Sequence, residues 1–157
     1  MMHIMLLTMG KTDIRWVAEG LEMYASRLQH YSRFSVKELP ELKGVASLSP
    51  QQVKQKEAEQ LLKAIKPQDT VVLLDEHGEE FTSIQFAARL GTYLQKGKDL
   101  VFIVGGAYGF APEMYERANA KLSLSKMTCS HQLVRTVFAE QLYRAFTILR
   151  GEPYHNE

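Results

Sequence analysis

Cysteine, long apolar runs and net charge are all scarce in this sequence. Its single cysteine, Cys129, excludes an internal disulfide and any metal site built from several cysteines. No uninterrupted apolar run approaches the roughly 20 residues that a transmembrane helix needs. The 19 basic and 18 acidic side chains give a formal net charge of +1, which predicts no strong nonspecific attraction to nucleic acid but leaves room for a local basic patch.

Several motifs of well-known ligand sites are also missing. The sequence has no G-x-G-x-x-G after its first predicted strand and no G-x-x-x-x-G-K-[ST], so NAD and ATP are not favoured as ligands. Asp75-Glu76-His77 could suggest a metal site, but no second cluster of His, Asp or Glu completes a coordination shell. We therefore expect a solvated turn there and no metal ion. The N-terminal residues lack the cationic region of an export signal, which favours a cytoplasmic protein.

Apolar runs alternate with helical patterns along the whole chain. The composition, 45% hydrophobic and 24% charged, is typical of a globular protein, and 157 residues fit one domain, residues 1–157. The alternation predicts an α/β fold with a mostly parallel sheet flanked by helices. Strands are predicted at residues 2–8, 34–39, 69–75, 99–104 and 121–124. Helices are predicted at residues 13–30, 50–65, 83–95 and 131–150, with Ser83 as the cap of the third and a short helix beginning at Pro112.

Three predicted loops follow the carboxyl ends of strands, after Leu74, Val104 and Leu124. In open α/β sheets this edge is where ligands bind. Glycines at positions 105, 106 and 109 let the second loop turn tightly and approach a ligand, because no Cβ blocks positive φ. An ordinary structural turn between strand and helix is the alternative for this loop.

The predicted C-terminal helix is apolar over more than half of its circumference. Thr136, Glu140, Arg144 and Thr147 form its narrow polar strip, with Glu140 and Arg144 as an exposed pair. Such a helix needs a second surface to bury against, which predicts a homodimer built on it; a single thick core is the alternative. Ser130 or Thr128 is predicted to cap its N-terminus. Beyond its end, no core packing explains the tail residues Tyr154 and His155.

The segments that carry chemistry occur in a recognisable order. They are Leu74-Asp75-x-x-Gly78, Gly105-Gly106-x-x-Gly109, Leu122 to Thr128, His131 to Arg135, Glu140 to Ala145 and Pro153-Tyr154-His155. In this order they resemble the SPOUT-class methyltransferases, and more narrowly the bacterial ribosomal RNA large subunit methyltransferase H family. The resemblance covers essentially the whole chain.

The resemblance implies a SPOUT-type α/β knot, in which the C-terminal strand, loop and helix form a trefoil knot, and a homodimer packed through the C-terminal helix. The implied reaction is methylation of N3 of a pseudouridine in large-subunit (23S) ribosomal RNA within the assembled ribosome, with S-adenosylmethionine as cofactor. The implied cofactor-binding residues are Leu74, Gly106, Ser125, Lys126, Met127, Thr128, Cys129 and Ser130. Relatives commonly have an apolar residue and a proline where this chain has Cys129-Ser130, and serine stiffens the loop less than proline does.

For the target side of the reaction, we expect His155 with Tyr154 to act from a tail that is mobile until RNA binds. His131 and Arg144 would shape the pocket and hold the RNA or the tail of a partner. A local basic patch is expected from Lys126, Arg135, Arg144 and Arg150. Two alternatives stay open: a noncatalytic ribosome-associated binding or assembly factor with the same fold, and a flavodoxin-like or nucleotide-binding enzyme.

Overall fold

A five-stranded sheet forms the centre of the computed structural model, which describes residues 2–156. Its strands run in the order β2-β1-β4-β3-β5, and every neighbouring pair is parallel. The strands are β1 (His3–Met9), β2 (Arg33–Leu39), β3 (Thr70–Glu80), β4 (Leu100–Val104) and β5 (Ala120–Ser123). The predicted α/β class with a parallel sheet is confirmed.

Helices cover both faces of the sheet. They are α1 (Arg15–Leu28), α2 (Pro50–Lys63), α3 (Ser83–Gln95), α4 (Pro112–Arg117) and α5 (Leu133–Leu149), and a short 3-10 turn, Val45–Ser47, lies in the connection before α2. On one face, Phe102 of β4 packs with Phe138 of α5, their ring centroids 4.6 Å apart; on the other, Ile103 packs with residues of α2 and α4. Because β4 is buried on both faces, its sequence is a continuous apolar run.

Capping boxes set the starts of two helices. At α2, the Ser49 side chain accepts a hydrogen bond from Gln52 N, and Pro50 is the first helical residue, as predicted. At α3, the cap is Thr82 and not Ser83. Thr82 Oγ1 accepts from the N–H of Gln85 at 3.1 Å, and Gln85 Oε1 accepts from the N–H of Thr82 at 2.9 Å. The prediction for Ser83 was wrong because only Thr82 has a glutamine three residues later to complete the box.

β3 continues five residues past the predicted end at Asp75, to Glu80. It pairs with β5 on both sides of an irregularity, where Leu74 and Glu79 both lie opposite Leu122. The predicted solvated turn at residues 75–77 is therefore wrong. Those residues belong to a bulged strand, and the bulge turns the side chain of Asp75 inward, so that only 7% of it is exposed.

Gly78→Ala is expected to lower the free energy of unfolding by about 2 kcal/mol. A Cβ at this position would lie 2.7 Å from Leu122 N and 2.7 Å from Lys121 C, which are backbone atoms of β5 that cannot rotate away. Urea unfolding followed by circular dichroism measures the change.

Gly91→Ala in α3 is the matched control. Its Cβ would make an ordinary contact at 3.5 Å with Leu149 Cδ2, so the helical preference of alanine should stabilise the protein by about 0.5–1 kcal/mol. Equal unfolding midpoints for wild type and Gly78→Ala would show that β3 and β5 can separate at this crossing.

α5 packs against both α1 and α3 on one face of the sheet. Within residues 2–156, its apolar side chains Phe138, Leu142 and Phe146 are buried inside one chain, so a thick core accounts for much of the wide apolar surface. The predicted polar strip is wrong at Thr147, which is fully buried and donates a hydrogen bond to Arg144 O at 2.7 Å. Thr136 is half-buried and donates to Val17 O in α1 at 2.8 Å.

Candidate functional site

A cavity of about 400 Å³ lies beside the bulge of β3 and the carboxyl ends of β4 and β5. Leu74 of β3 lines it together with its partners on the two neighbouring strands, Val104 and Leu122. The three segments singled out in the sequence, after Leu74, Val104 and Leu124, therefore meet here, as the parallel arrangement of the strands requires. The volume is that of a small-molecule site.

The glycine-rich loop forms one wall, and its glycines act in different ways. Gly109 alone has the left-handed φ, 83°, and its N–H donates to Gly106 O at 3.2 Å, which closes the turn. Gly105 and Gly106 do not have positive φ, so the predicted reason for glycine does not apply to them. At Gly105 a Cβ would lie 3.1 Å from the ring of Phe110, and Gly106 lies against a carboxylate of α2. These two glycines are needed for close packing.

Side-chain hydrogen bonds to the backbone shape the loop before α5. Ser125 Oγ accepts from the N–H of Met127 at 3.0 Å, and Ser130 Oγ accepts from the N–H of Leu133 at 3.0 Å. Ser130 therefore satisfies a free N–H at the start of α5, as predicted. Thr128 does not cap the helix: its hydroxyl donates to Glu76 Oε2 at 2.9 Å and ties the loop to β3.

Seven of the eight predicted cofactor-binding residues lie in the cavity wall. They are Leu74, Gly106, Ser125, Met127, Thr128, Cys129 and Ser130. Lys126 is the exception, since its side chain is exposed and lies outside the wall. His131, predicted for a pocket-shaping role, also lines the cavity.

Two carboxylates that the sequence analysis expected in a solvated turn and did not assign to the cofactor site, Asp75 and Glu76, belong to the same wall. Asp75 accepts hydrogen bonds from the hydroxyl of Tyr115 and from the N–H of His77, the latter at 3.0 Å. Burial and the hydrogen bond with Asp75 raise the pKa of Tyr115, so this phenol remains a donor. In the described part of the chain, no lysine or arginine lines the cavity. The cavity is therefore suited to a cation and unsuited to phosphate groups.

Arg135 is a structural residue, fully buried at the junction of α5 and β1. Its guanidinium donates to Met9 O at 3.0 Å, to Gly10 O at 3.0 Å, to Thr12 Oγ1 at 2.9 Å and to His131 O at 2.9 Å. Its inclusion in a basic surface patch is wrong, because a fully buried side chain cannot contact RNA.

The tail after α5 packs against that helix. The hydroxyl of Tyr154 donates to Glu140 Oε2 at 2.9 Å, and Arg144 Nη2 donates to the same oxygen at 2.9 Å. Arg144 Nη1 lies 3.1 Å from His155 Nδ1, and its guanidinium lies 4.8 Å from the ring centroid of Tyr154. The ring of Tyr154 also meets that of Tyr143 at 4.7 Å, edge to face. The expectation of a mobile tail without packing partners is therefore wrong, and the Glu140–Arg144 pair is half-buried under the tail.

Within one chain, the tail and the cavity lie at opposite ends of α5. Val134 lines the cavity and Arg144 holds the tail, ten positions further along the helix. At a rise of 1.5 Å per residue this is about 15 Å. The structure thus brings His131 to the predicted cofactor residues, but it places Arg144, Tyr154 and His155 in a second cluster.

A family model described as "Predicted SPOUT methyltransferase" matches residues 2–155. The chain belongs to this family. Its resemblance to SPOUT methyltransferases, based on a few motifs, is thereby confirmed across nearly the whole chain.

Curated relatives of this SPOUT methyltransferase match it from end to end. A protein of Parabacteroides distasonis is 51% identical over 161 aligned residues, covering 99% of this chain and all of the relative. Proteins of Phocaeicola vulgatus and Christiangramia forsetii are 49% and 48% identical, each over 99% of this chain and at least 99% of the relative. All three are named "Ribosomal RNA large subunit methyltransferase H".

Membership of the family implies a methyl donor as cofactor, and the cavity of this SPOUT methyltransferase has the volume of a small-molecule site. Its wall contains two carboxylates, which favour a ligand of positive charge. The same part of the chain contains no group of three or more His, Cys, Asp or Glu side chains placed to hold a metal ion. No helix in residues 2–156 is long and apolar enough to cross a membrane.

Proposed function

We propose that this protein transfers a methyl group from S-adenosylmethionine to N3 of a pseudouridine in large-subunit (23S) ribosomal RNA, on the assembled ribosome in the cytoplasm. The observation that carries the proposal is the full-length identity of 45–51% to eight proteins named ribosomal RNA large subunit methyltransferase H. The cavity at the carboxyl edge supports it independently through its volume and its charge.

The donor is held in the cavity beside the bulge of β3 and the ends of β4 and β5. When bound, S-adenosylmethionine supplies an electrophilic methyl group on a positively charged sulfur. Leu74 of β3 and Gly106, which follows β4, enclose it, and the loop 125–130 offers backbone N–H and C=O groups to the adenine. This recognition needs a fixed backbone, which the hydrogen bonds of Ser125, Thr128 and Ser130 supply. Asp75 and Glu76 complement the positive charge.

The tail cluster holds the target base. A guanidinium can only donate, so His155 Nδ1 accepts a hydrogen bond from Arg144. Because Nδ1 is engaged in this way, we assign the imidazole a positioning role and not the removal of a proton from the base. Burial, followed by hydrogen bonding with Tyr24 and Glu140, raises the pKa of Tyr154, so this phenol is not a base at neutral pH. The cluster therefore favours loss of the N3 proton to solvent water by stabilising negative charge on the deprotonated base.

A homodimer packed through α5 brings the two clusters together. Because about 15 Å of α5 separates the tail from the cavity of the same chain, the tail that meets a given cavity comes from the second copy. The surface beside α5 supports such packing. Helix α1 contacts α5 at Gly20 and Thr136. Two large apolar residues of α1 are exposed, Trp16 at 64% and Met23 at 43% of their surface. Exposed large apolar side chains of this kind are common at subunit interfaces.

The trefoil knot and the single domain spanning residues 1–157 are part of the same proposal. Membership of the SPOUT family supports both. The tight crossing of Gly78 over the backbone of β5 is the kind of contact that a chain threaded through its own loops makes.

Methyl transfer to ribosomes tests the function directly. Incubated with S-adenosylmethionine labelled in its methyl group, the protein should label the large-subunit RNA of intact ribosomes and leave isolated ribosomal RNA unlabelled, since a net charge of +1 offers little attraction to naked RNA. S-adenosylhomocysteine should compete as the control. Tight binding to ribosomes and donor without any transfer would identify a noncatalytic binding factor instead.

A further inference from the structure

The carboxylate of Glu57, on α2, packs directly against the backbone of Gly106. An ideal Cβ on Gly106 would lie 2.3 Å from Oε2, 2.7 Å from Oε1 and 2.9 Å from Cδ of Glu57. Gly106 lines the cavity, and Glu57 lies behind it, outside the cavity wall. One backbone residue therefore separates this carboxylate from the space for the ligand.

This contact explains why position 106 is a glycine. Gly106 lacks the positive φ that favours glycine, unlike Gly109 in the same loop. A side chain at position 106 would displace the carboxylate from the loop. Glycine thus permits the close approach of Glu57 to this part of the loop.

The charge of Glu57 has no counterpart in the described part of the chain, where it forms neither an ion pair nor a hydrogen bond. Burial raises the pKa of Glu57, and no cation opposes that effect. A half-buried carboxylate without a partner is costly, so it suits a place where the ligand brings the positive charge. Asp75 and Glu76 on the cavity wall have the same sign and do not compensate it.

We propose that Glu57 is a positioning residue that makes the cavity prefer the charged methyl donor to its neutral-sulfur product. The inference rests on the proposed function, because S-adenosylmethionine carries a sulfonium that S-adenosylhomocysteine lacks, while both carry the same amino and carboxylate groups. The carboxylate attracts the sulfonium across Gly106 and does not act on a neutral sulfur. It thereby favours release of the product after each transfer.

Calorimetric binding of the two compounds to Glu57→Gln tests the proposal. Glutamine keeps the shape and removes the charge, so binding of S-adenosylmethionine should weaken roughly fivefold to tenfold while binding of S-adenosylhomocysteine changes less than twofold. Glu59→Gln on the exposed side of α2 is the matched control and should change neither. Equal weakening of both compounds would reveal a purely structural role and would overturn the proposal, as would no change in either.

A second pair of variants checks that the effect passes through Gly106. Gly106→Ala should displace the carboxylate and thereby lower the preference for S-adenosylmethionine, as Glu57→Gln does. The double variant Gly106→Ala/Glu57→Ala should show no further loss of preference. Additive losses would overturn the proposed coupling. If the wild-type protein bound neither S-adenosylmethionine nor S-adenosylhomocysteine, the proposed function itself would be wrong. That outcome is distinct from a failure of the Glu57 proposal, which is judged by how the variants change the preference between the two compounds.

Discussion

Replacing Arg135 by methionine is expected to lower the free energy of unfolding by about 3–5 kcal/mol. The guanidinium is fully buried and donates four hydrogen bonds, three of which join α5 to the end of β1 and the residues that follow it, while the fourth reaches His131 O. Methionine fills part of the space but has no donor, so the carbonyl oxygens of Met9, Gly10 and His131 lose these bonds in a buried place. Urea unfolding of the purified variant measures the loss.

Arg33→Met is the control for this prediction, because Arg33 is an exposed arginine at the start of β2. It should change the free energy of unfolding by less than about 0.5 kcal/mol. If Arg135→Met were as stable as Arg33→Met, the four hydrogen bonds would contribute nothing net, and Arg135 would be available for a role outside the fold.

Replacing His155 by alanine is expected to lower the turnover of methyl transfer about 100-fold, with binding of S-adenosylmethionine unchanged. The imidazole belongs to the tail cluster with Arg144 and Tyr154 and lies far from the cavity of its own chain. We therefore expect separate groups to carry donor binding and turnover. Turnover is measured on ribosomes, and donor binding by calorimetry.

Tyr154→Phe provides a graded control, since it removes the hydroxyl that donates to Glu140 and keeps the ring against Tyr143. A smaller loss of turnover, about tenfold, is expected from it. Near-normal turnover of His155→Ala would mean that the tail only docks the protein on its substrate.

Mixed dimers test whether the tail works on the cavity of the other copy. His155→Ala lacks the tail function, and Cys129→Trp should fill the cavity with an indole and abolish donor binding. When the two are co-expressed, about half of the dimers are mixed, and each has one intact cavity facing one intact tail. About a quarter of wild-type turnover should return. No recovery would place the tail and the cavity of one chain in the same active site.

The order of strands and helices could be predicted from the sequence because each element has its own periodicity. The buried run of β4 and the proline at the start of α2 are local signals, and both were interpreted correctly. The extension of β3 to Glu80 could not be predicted, because Asp75-Glu76-His77 has the composition of a turn. Pairing with β5 determines the structure of this segment of β3. That pairing depends on the close approach of Gly78 to Leu122, two residues that are far apart in the sequence.

The candidate site shows the same limit. Residues of the loop before α5 and Gly106 could be singled out from the family resemblance, and the structure places most of them in the cavity wall. Glu57 could not, since it lies on a helix without any motif and meets Gly106 only in three dimensions. The tail was misjudged for a related reason: its partners Glu140 and Arg144 look like an ordinary exposed pair, although Tyr154 and His155 fold back onto them.

Mass spectrometry of the nucleosides in large-subunit ribosomal RNA, before and after treatment of ribosomes with the protein and S-adenosylmethionine, tests the central claim most directly. We expect one new methylated nucleoside, a pseudouridine carrying the methyl group on N3, at one position of the RNA. His155→Ala should produce far less of it in the same time. A new methyl group on any base other than pseudouridine, or on a ribose, would contradict the proposed reaction.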